Sequence, residues 1–270
     1  MNIHFIGGGN MARAIIGGLK QNGFDMPAIT VLELDADKRQ TLSLEFGINT
    51  TDNYASFSQA DVIVFAVKPQ QLRQVCNDLR SNLTQQLLVS IAAGVRSQDI
   101  SRWLDGYPAI VRVMPNTPAQ ISAGISALYA MPQVSATQRE QANTILAAVG
   151  KTVWLNDEGE MDAVTAISGS GPAYVFYFIE ALQEAGVALG LDAEAAKLLA
   201  LETFAGASLL ATQSKEDIKT LRAQVTSKGG TTEQGILALE TGNIKDIVRD
   251  AAKAAAAKSK LLGDQLGEIN

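Results

Sequence analysis

One short segment near the start of the chain restricts its architecture most. Gly7-Gly8-Gly9-Asn10-Met11-Ala12 fits the pattern G-x-G-x-x-G/A. It follows an apolar run, residues 3–6, and leads into residues 11–22, where Met11, Ile15, Ile16 and Leu19 fall near one helical face. A strand, a glycine turn and a helix in that order make the opening unit of a dinucleotide-binding sheet. Gly7 permits the tight turn, Gly9 lets a pyrophosphate approach the backbone, and Ala12 lets helix and sheet pack closely. Asn10 and Met11 open the helix, whose N-terminal amides and partial positive charge favour phosphates.

The rest of the first half repeats this alternation. Apolar runs at residues 29–33, 62–67, 87–91 and 109–114 predict strands. Helical segments lie between them at 70–81 and 97–104. Continuous apolar runs are expected where helices cover both faces of a parallel sheet, joined by right-handed crossovers. Two further strands are predicted at 124–129 and 152–155, with a helix at 137–149 between them. After Leu155 the texture changes. Residues 156–159 form a polar turn, and Ala-rich helical segments follow at 173–189, 193–212, 215–224, 232–240 and 244–262. The reading is an α/β domain over residues 1–157, followed by an all-α domain over 158–270.

Residues 172–182, Pro-Ala-Tyr-Val-Phe-Tyr-Phe-Ile-Glu-Ala-Leu, are apolar almost all round. Such a helix must be covered on every side. A second subunit is expected to supply part of that cover; the alternative is the central helix of a self-contained bundle.

Composition excludes several classes of function. The net charge of −6 opposes nonspecific nucleic-acid binding. No unbroken apolar run reaches the roughly 18 residues needed to span a bilayer, and residues 1–6 do not read as a signal peptide. The single cysteine, Cys76, agrees with a reducing, cytoplasmic setting. With it the single histidine, His4, cannot assemble a zinc site, so no metal is expected. His4 lies in an apolar strand and reads as structural.

Several segments carry polar groups where ligands of α/β sheets bind, beyond the strands' C-terminal ends. The second strand runs into Asp35, Lys38 and Arg39. An acid there accepts from the adenine ribose and repels a 2′-phosphate, whereas the two cations would hold that phosphate, so NADH against NADPH stays open. Ala66-Val67-Lys68-Pro69 ends another strand and places a cation at the cofactor cleft. Met114-Pro115-Asn116-Thr117-Pro118 ends a third, where Asn116 and Thr117 offer polar groups toward a nicotinamide; a rigid turn is the alternative. In the second half, Ser168-Gly169-Ser170-Gly171-Pro172 is equally compatible with capping a helix and with binding. Thr226-Ser227-Lys228-Gly229-Gly230-Thr231-Thr232-Glu233 enters another helix, and its amides and hydroxyls suit a small carboxylate. A plain cap by Thr231 or Thr232 is the alternative.

The glycine turn, Ala66–Pro69, Val113–Pro118, Ser168–Tyr174 and Gly229–Thr232 together resemble pyrroline-5-carboxylate reductase, in the same order and spacing over essentially the whole chain. The last two motifs are much more specific than the first. The resemblance implies a Rossmann domain followed by a helical dimerisation domain. It implies a homodimer with interleaved C-terminal helices, and a decamer of five dimers. It also implies L-1-pyrroline-5-carboxylate as substrate and NADPH as cofactor, with NADH the alternative. By matching position, Asn53, Ala66 to Pro69, and Ala92 to Gly94 are implied to touch the cofactor. Glu158, Ser227, Gly229, Gly230, Thr231 and Thr232 are implied to frame the substrate, with Thr232 and Glu158 the catalytic candidates.

The chain departs from the family pattern at Lys228, where proline is usual, and at Ala223 and Gln224. Asp35 stands where small hydroxyl residues often serve NADPH. Related β-hydroxyacid reductases use a lysine on the helix joining their domains, and residues 161–177 contain none. A noncatalytic dinucleotide sensor would bind cofactor without turning over any imine.

Overall fold

A computed structural model describes residues 1–268. The chain divides into two compact units: Met1–Ser170 together with the chain from Ala254 on, and Gly171–Lys253. The change in sequence texture near residue 157 precedes this packing boundary.

The first unit is built on an eight-stranded sheet of order β3-β2-β1-β4-β5-β6-β7-β8. Its strands are β1 (Ile3–Ile6), β2 (Ile29–Leu32), β3 (Asn49–Thr51), β4 (Val62–Phe65), β5 (Leu87–Ser90), β6 (Ile110–Met114), β7 (Gly124–Ala130) and β8 (Gly150–Trp154). Strands β1, β4 and β5 are buried at every position, as expected of a sheet covered on both faces. The covering helices are α1 (Asn10–Gln21), α2 (Ala36–Phe46), α3 (Pro69–Leu79), α4 (Ser97–Trp103) and α5 (Ala136–Ala147). The apolar face of α1, Ile15, Ile16 and Leu19, is buried against the sheet. Gly18 matters to that packing: a side chain there would collide with the Ala148 carbonyl.

The expectation of a wholly parallel sheet needs one correction: β7 runs antiparallel to β6, while the other pairs are parallel. The chain between them is a short 3₁₀ turn, Thr117–Ile121, entered at Pro118. A parallel return needs a crossover of a dozen or more residues, so this connection reverses the strand. Helix α5 then supplies a full crossover, and β8 lies parallel to β7.

Two elements of the sheet layer are additional to the predicted set, as is the short α6 (Met161–Val164). Helix α2 has a weak apolar pattern, burying only Leu42 and Phe46, and β3 is a three-residue strand. Local chemistry fixes α2. Asp35 Oδ1 accepts from the N–H groups of Asp37 and Lys38 at its start, and Gly47, at φ +74°, closes its end.

Past β8, α6 (Met161–Val164) runs into a π-turn, Thr165–Gly169. The chain from Ala254 on is the last part of α11 (Ile244–Glu268), which extends beyond the predicted end at 262. Small residues let it approach the loop after β5. A side chain at Gly263 would lie 2.8 Å from the Gly94 carbonyl. Ser259 donates to Asp162 at 2.7 Å, Arg96 pairs with Asp264, and Arg102 donates to the Gly267 carbonyl at 2.7 Å.

The second unit contains α7 (Gly171–Ala188), α8 (Ala193–Gln213), α9 (Ile218–Gln224), α10 (Thr231–Thr241) and the start of α11; among the described residues it holds no strand. None of α7 is buried; Phe176 is 65% exposed and Tyr177 70%. By length and composition α8 is, among the described residues, the one helix able to cross a bilayer. No unbroken apolar run revealed it, because Glu194, Lys197 and Glu202 interrupt the pattern. Leu198, Leu209 and Leu210 on it are exposed.

Candidate active site

The predicted cofactor residues gather at the C-terminal ends of the strands of the first unit. Gly7, at φ +98°, follows β1, and its N–H donates to the Leu32 carbonyl of β2 at 2.9 Å. On its other side Ala66 donates to the Ile6 carbonyl at 2.9 Å. A side chain at Gly7 would lie 2.7 Å from the Ala66 carbonyl oxygen. The glycine turn and the Ala66–Pro69 turn are therefore in contact. They sit where strand order reverses between β1 and β4, the crevice in which such sheets bind ligands.

Gly9 is different. It is the N-cap of α1, its φ is an ordinary −72°, and an added Cβ would meet no protein atom within 4 Å. The helix has no side-chain cap and no acid in its first turn. Its first N–H groups thus have no side-chain cap, an arrangement that fits a pyrophosphate. Asn10 and Met11 begin this helix, and Ala12 is buried beneath it.

Lys68 follows β4 as an exposed residue at the N-cap of α3, with Pro69 in the first helical turn. Ala92 and Gly94 follow β5; Gly94 has φ +81°, and Ala92 donates to Ser90 Oγ at 3.4 Å. Asn116 follows β6, but its Oδ1 accepts from the Ile125 N–H at 2.9 Å and so braces the turn into β7. Thr117 next to it is exposed. Asn53 follows β3 in a tight turn, its Oδ1 accepting from Ala55 at 3.0 Å.

At the end of β2 the roles are divided differently from the expectation. Asp35 spends one oxygen capping α2. Arg39 folds back, donating to the carbonyls of Glu33 at 2.7 Å and Leu34 at 2.9 Å. The acid on the glycine turn is Glu33, whose Oε2 accepts from Gly8 at 3.3 Å. The signal for it is positional: Glu33 directly follows the last residue of β2.

Glu158, the other catalytic candidate, is held by protein partners. It lies in the first unit, where Oε1 accepts from the Ser97 N–H at 2.7 Å and from Arg112 Nη1 at 3.1 Å. Oε2 accepts from Ser97 Oγ at 2.6 Å. Both oxygens are occupied, and Arg112 is 6% exposed. This is a largely buried ion pair holding the start of α4 to β6. Arg112 and Ser97 are absent from the predicted site, yet an arginine within the apolar strand Ile-Val-Arg-Val-Met needs a buried partner.

In the second unit the predicted substrate loop enters α10. Gly230 is the N-cap and no side chain caps the helix, which excludes Thr231 or Thr232 as the plain cap. Both are exposed residues of the first turn. Gly229, at φ +74°, donates to Glu233 at 2.7 Å, and Gly230 donates to the Ser227 carbonyl at 3.0 Å. The first N–H groups of α10 remain for an external acceptor. The Ser168 hydroxyl, in the first unit, bonds to the Val164 carbonyl at 3.1 Å within the π-turn. Gly169 leaves room there for the Met114 methyl.

Neither His4 nor Cys76 belongs to these clusters. His4 packs edge-on against Phe57, ring centroids 4.9 Å apart, and burial lowers its pKa. Burial pushes the Cys76 thiol up to about 12.

Comparison with known proteins agrees with both units. Residues 158–262 match the family model described as pyrroline-5-carboxylate reductase dimerisation. Residues 2–94 match one described as NADP oxidoreductase coenzyme F420-dependent. A pyrroline-5-carboxylate reductase of Pseudomonas aeruginosa is 44% identical over 98% of both chains. A solved pyrroline-5-carboxylate reductase from Coxiella burnetii is 44% identical, with a TM-score of 0.93 over 97% of this chain and 98% of that one. The Plasmodium falciparum pyrroline carboxylate reductase, solved with NADP bound, is 32% identical, with a TM-score of 0.85 over the same shares. The chain belongs to the pyrroline-5-carboxylate reductase family of NAD(P)H-dependent oxidoreductases.

Proposed function

We propose that the chain reduces L-1-pyrroline-5-carboxylate to L-proline with NAD(P)H, the last step of proline synthesis. The observation that carries the reading is the uncapped, glycine-entered N-terminus of α10, within the stretch matched by the reductase dimerisation model. When bound, the nicotinamide supplies a hydride to the imine carbon. A protonated imine needs no strong acid, so orientation and charge placement supply most of the acceleration. That agrees with a chain whose one histidine is buried in a strand.

The residues divide along the sequence. Residues 1–157 bind the dinucleotide: Gly7, Gly9, Asn10, Met11 and Ala12 cradle the pyrophosphate. Asn53, Asp35 and Arg39 lie toward the adenosine. Ala66, Val67, Lys68, Pro69, Ala92, Gly94, Asn116 and Thr117 line the approach of the nicotinamide. Residues 158–270 bind substrate and dimerise. Ser227, Gly229, Gly230 and Thr231 hold the substrate carboxylate through amides and hydroxyls. Thr232 hydrogen-bonds the ring nitrogen as it becomes an amine. Glu158 is the second catalytic candidate, its carboxylate oriented by Ser97 and Arg112.

The assay is substrate-dependent oxidation of NADPH and NADH, followed by absorbance, with proline as product. Thr232→Ala is expected to fold and to lower turnover by roughly 10-fold. Unchanged kinetics would remove Thr232 from the mechanism, and a folded wild-type chain that binds dinucleotide without oxidising it would remove the substrate assignment.

The assembly follows from the same reading: a homodimer with interleaved C-terminal helices, five such dimers making a decamer. The exposed apolar residues of α7 support the dimer, because surfaces of that kind are covered in stable proteins. Phe176→Arg is expected to shift the protein toward monomer in analytical ultracentrifugation. A sedimentation profile identical to wild type would exclude this face from the interface.

A further inference from the structure

We propose that Glu33 makes this enzyme selective for NADH, by accepting from the adenine ribose hydroxyls and excluding a 2′-phosphate. The inference rests on reading the glycine turn as the dinucleotide site. Glu33 directly follows β2, and its own N–H donates to the Thr51 carbonyl of β3 at 3.0 Å, so its backbone is fixed by the sheet. Its carboxylate is fixed as well. Oε2 accepts from Gly8 at 3.3 Å and Oε1 from Asp35 at 3.2 Å. The acid is thereby tied to the central glycine of the turn that receives the pyrophosphate. An acid at the end of the second strand, about 20 residues past the glycine turn, is placed to bond the ribose 2′-hydroxyl.

The surroundings disfavour the phosphorylated ribose. Asp35 and Asp37 lie at the start of α2, and Asp52 follows β3. Arg39 gives Nη1 to the carbonyls of Glu33 and Leu34, and its Nη2 lies 3.7 Å from Asp52. Its donors are directed at the backbone and at an acid. Leu34, the neighbour of Glu33, is 76% exposed and has no side-chain donor to offer. A 2′-phosphate brings about two negative charges, and it would meet Glu33 before any uncommitted cation other than the exposed Lys38. Asp35, the acid singled out by sequence, contributes charge, but as the cap of α2 it is the second acid of this loop.

The test separates ribose recognition from turnover. The intact protein is titrated calorimetrically with ADP-ribose and with 2′-phospho-ADP-ribose. Wild type is expected to bind ADP-ribose about 10-fold more tightly or better, the scale of one charge-assisted hydrogen bond. Glu33→Gln keeps an acceptor without the charge and is expected to gain affinity for the phosphorylated ligand. Glu33→Ala is expected to lose affinity for ADP-ribose as well, moving the ratio by about 10-fold or more. The ratio of kcat/KM for NADH and NADPH should move in the same direction. Equal or tighter binding of the phosphorylated ligand by wild type overturns the proposal, as does an unchanged ratio in folded Glu33→Ala. Failure of wild type to bind either ligand overturns the proposal together with the dinucleotide reading of the glycine turn, whereas the first two outcomes leave that reading standing.

Discussion

Glu158→Ala is expected to destabilise the folded chain by about 3–5 kcal/mol, the usual cost of removing one partner of a buried ion pair. The geometry explains the size. Arg112 is 6% exposed in the middle of β6, and its Nη1 reaches Glu158 Oε1 at 3.1 Å. Removing the carboxylate strands that charge and also orphans the N–H and hydroxyl of Ser97, which is fully buried. Glu158→Gln keeps an oxygen for Ser97 and should cost less. Replacing both partners together, Glu158→Leu with Arg112→Met, should recover much of the loss, because a well-packed apolar pair carries no desolvation cost. Urea unfolding at fixed protein concentration measures all three, since oligomer stability depends on concentration. Wild-type stability with abolished turnover in Glu158→Ala would instead show that the carboxylate serves the reaction and not the fold.

Glu158 also marks where sequence reasoning is strong and where it stops. Position along the chain places it where the α/β alternation gives way to helices, but its partners come from 46 and 61 residues away. Arg112 was the available clue: a charge within an apolar strand demands a counter-charge, though no local pattern says which. The alternation of strands and helices was clear because burial on both faces of a parallel sheet writes continuous apolar runs, such as Val62–Phe65. The direction of β7 was not, because alternate burial looks alike whichever way a strand runs. Only the brevity of the connection through Pro118 argues for the reversal. Helix α2 was hidden because caps hold it more than an apolar stripe does, and the same residue that caps it, Asp35, drew attention from Glu33. Two acids at neighbouring positions are equivalent in sequence. The sheet decides between them, since Glu33 is the one hydrogen-bonded to the glycine turn.

Gly9→Val is expected to leave the fold intact and to weaken dinucleotide binding by about 100-fold or more, roughly 2.7 kcal/mol. Gly7→Val, two residues earlier, is expected to damage the fold first. The two glycines answer to different constraints. Gly7 holds φ +98°, a conformation that costs a β-branched residue of order 1–3 kcal/mol. A side chain there would also press on the Ala66 carbonyl at 2.7 Å, between β1 and β4 at the centre of the sheet. Gly9 has an ordinary φ of −72° and no protein atom within 4 Å of the place its Cβ would occupy. Nothing in the protein itself requires glycine at that position; on the proposed reading the requirement comes from a dinucleotide that must reach the N–H groups of α1. The comparison needs two readouts on each variant: the urea midpoint, and NADH binding followed by fluorescence. A Gly9→Val chain that binds NADH like wild type would show that the pyrophosphate does not lie on this turn. A Gly7→Val chain with wild-type stability would show that the approach of Gly7 to Ala66 is looser than its geometry requires.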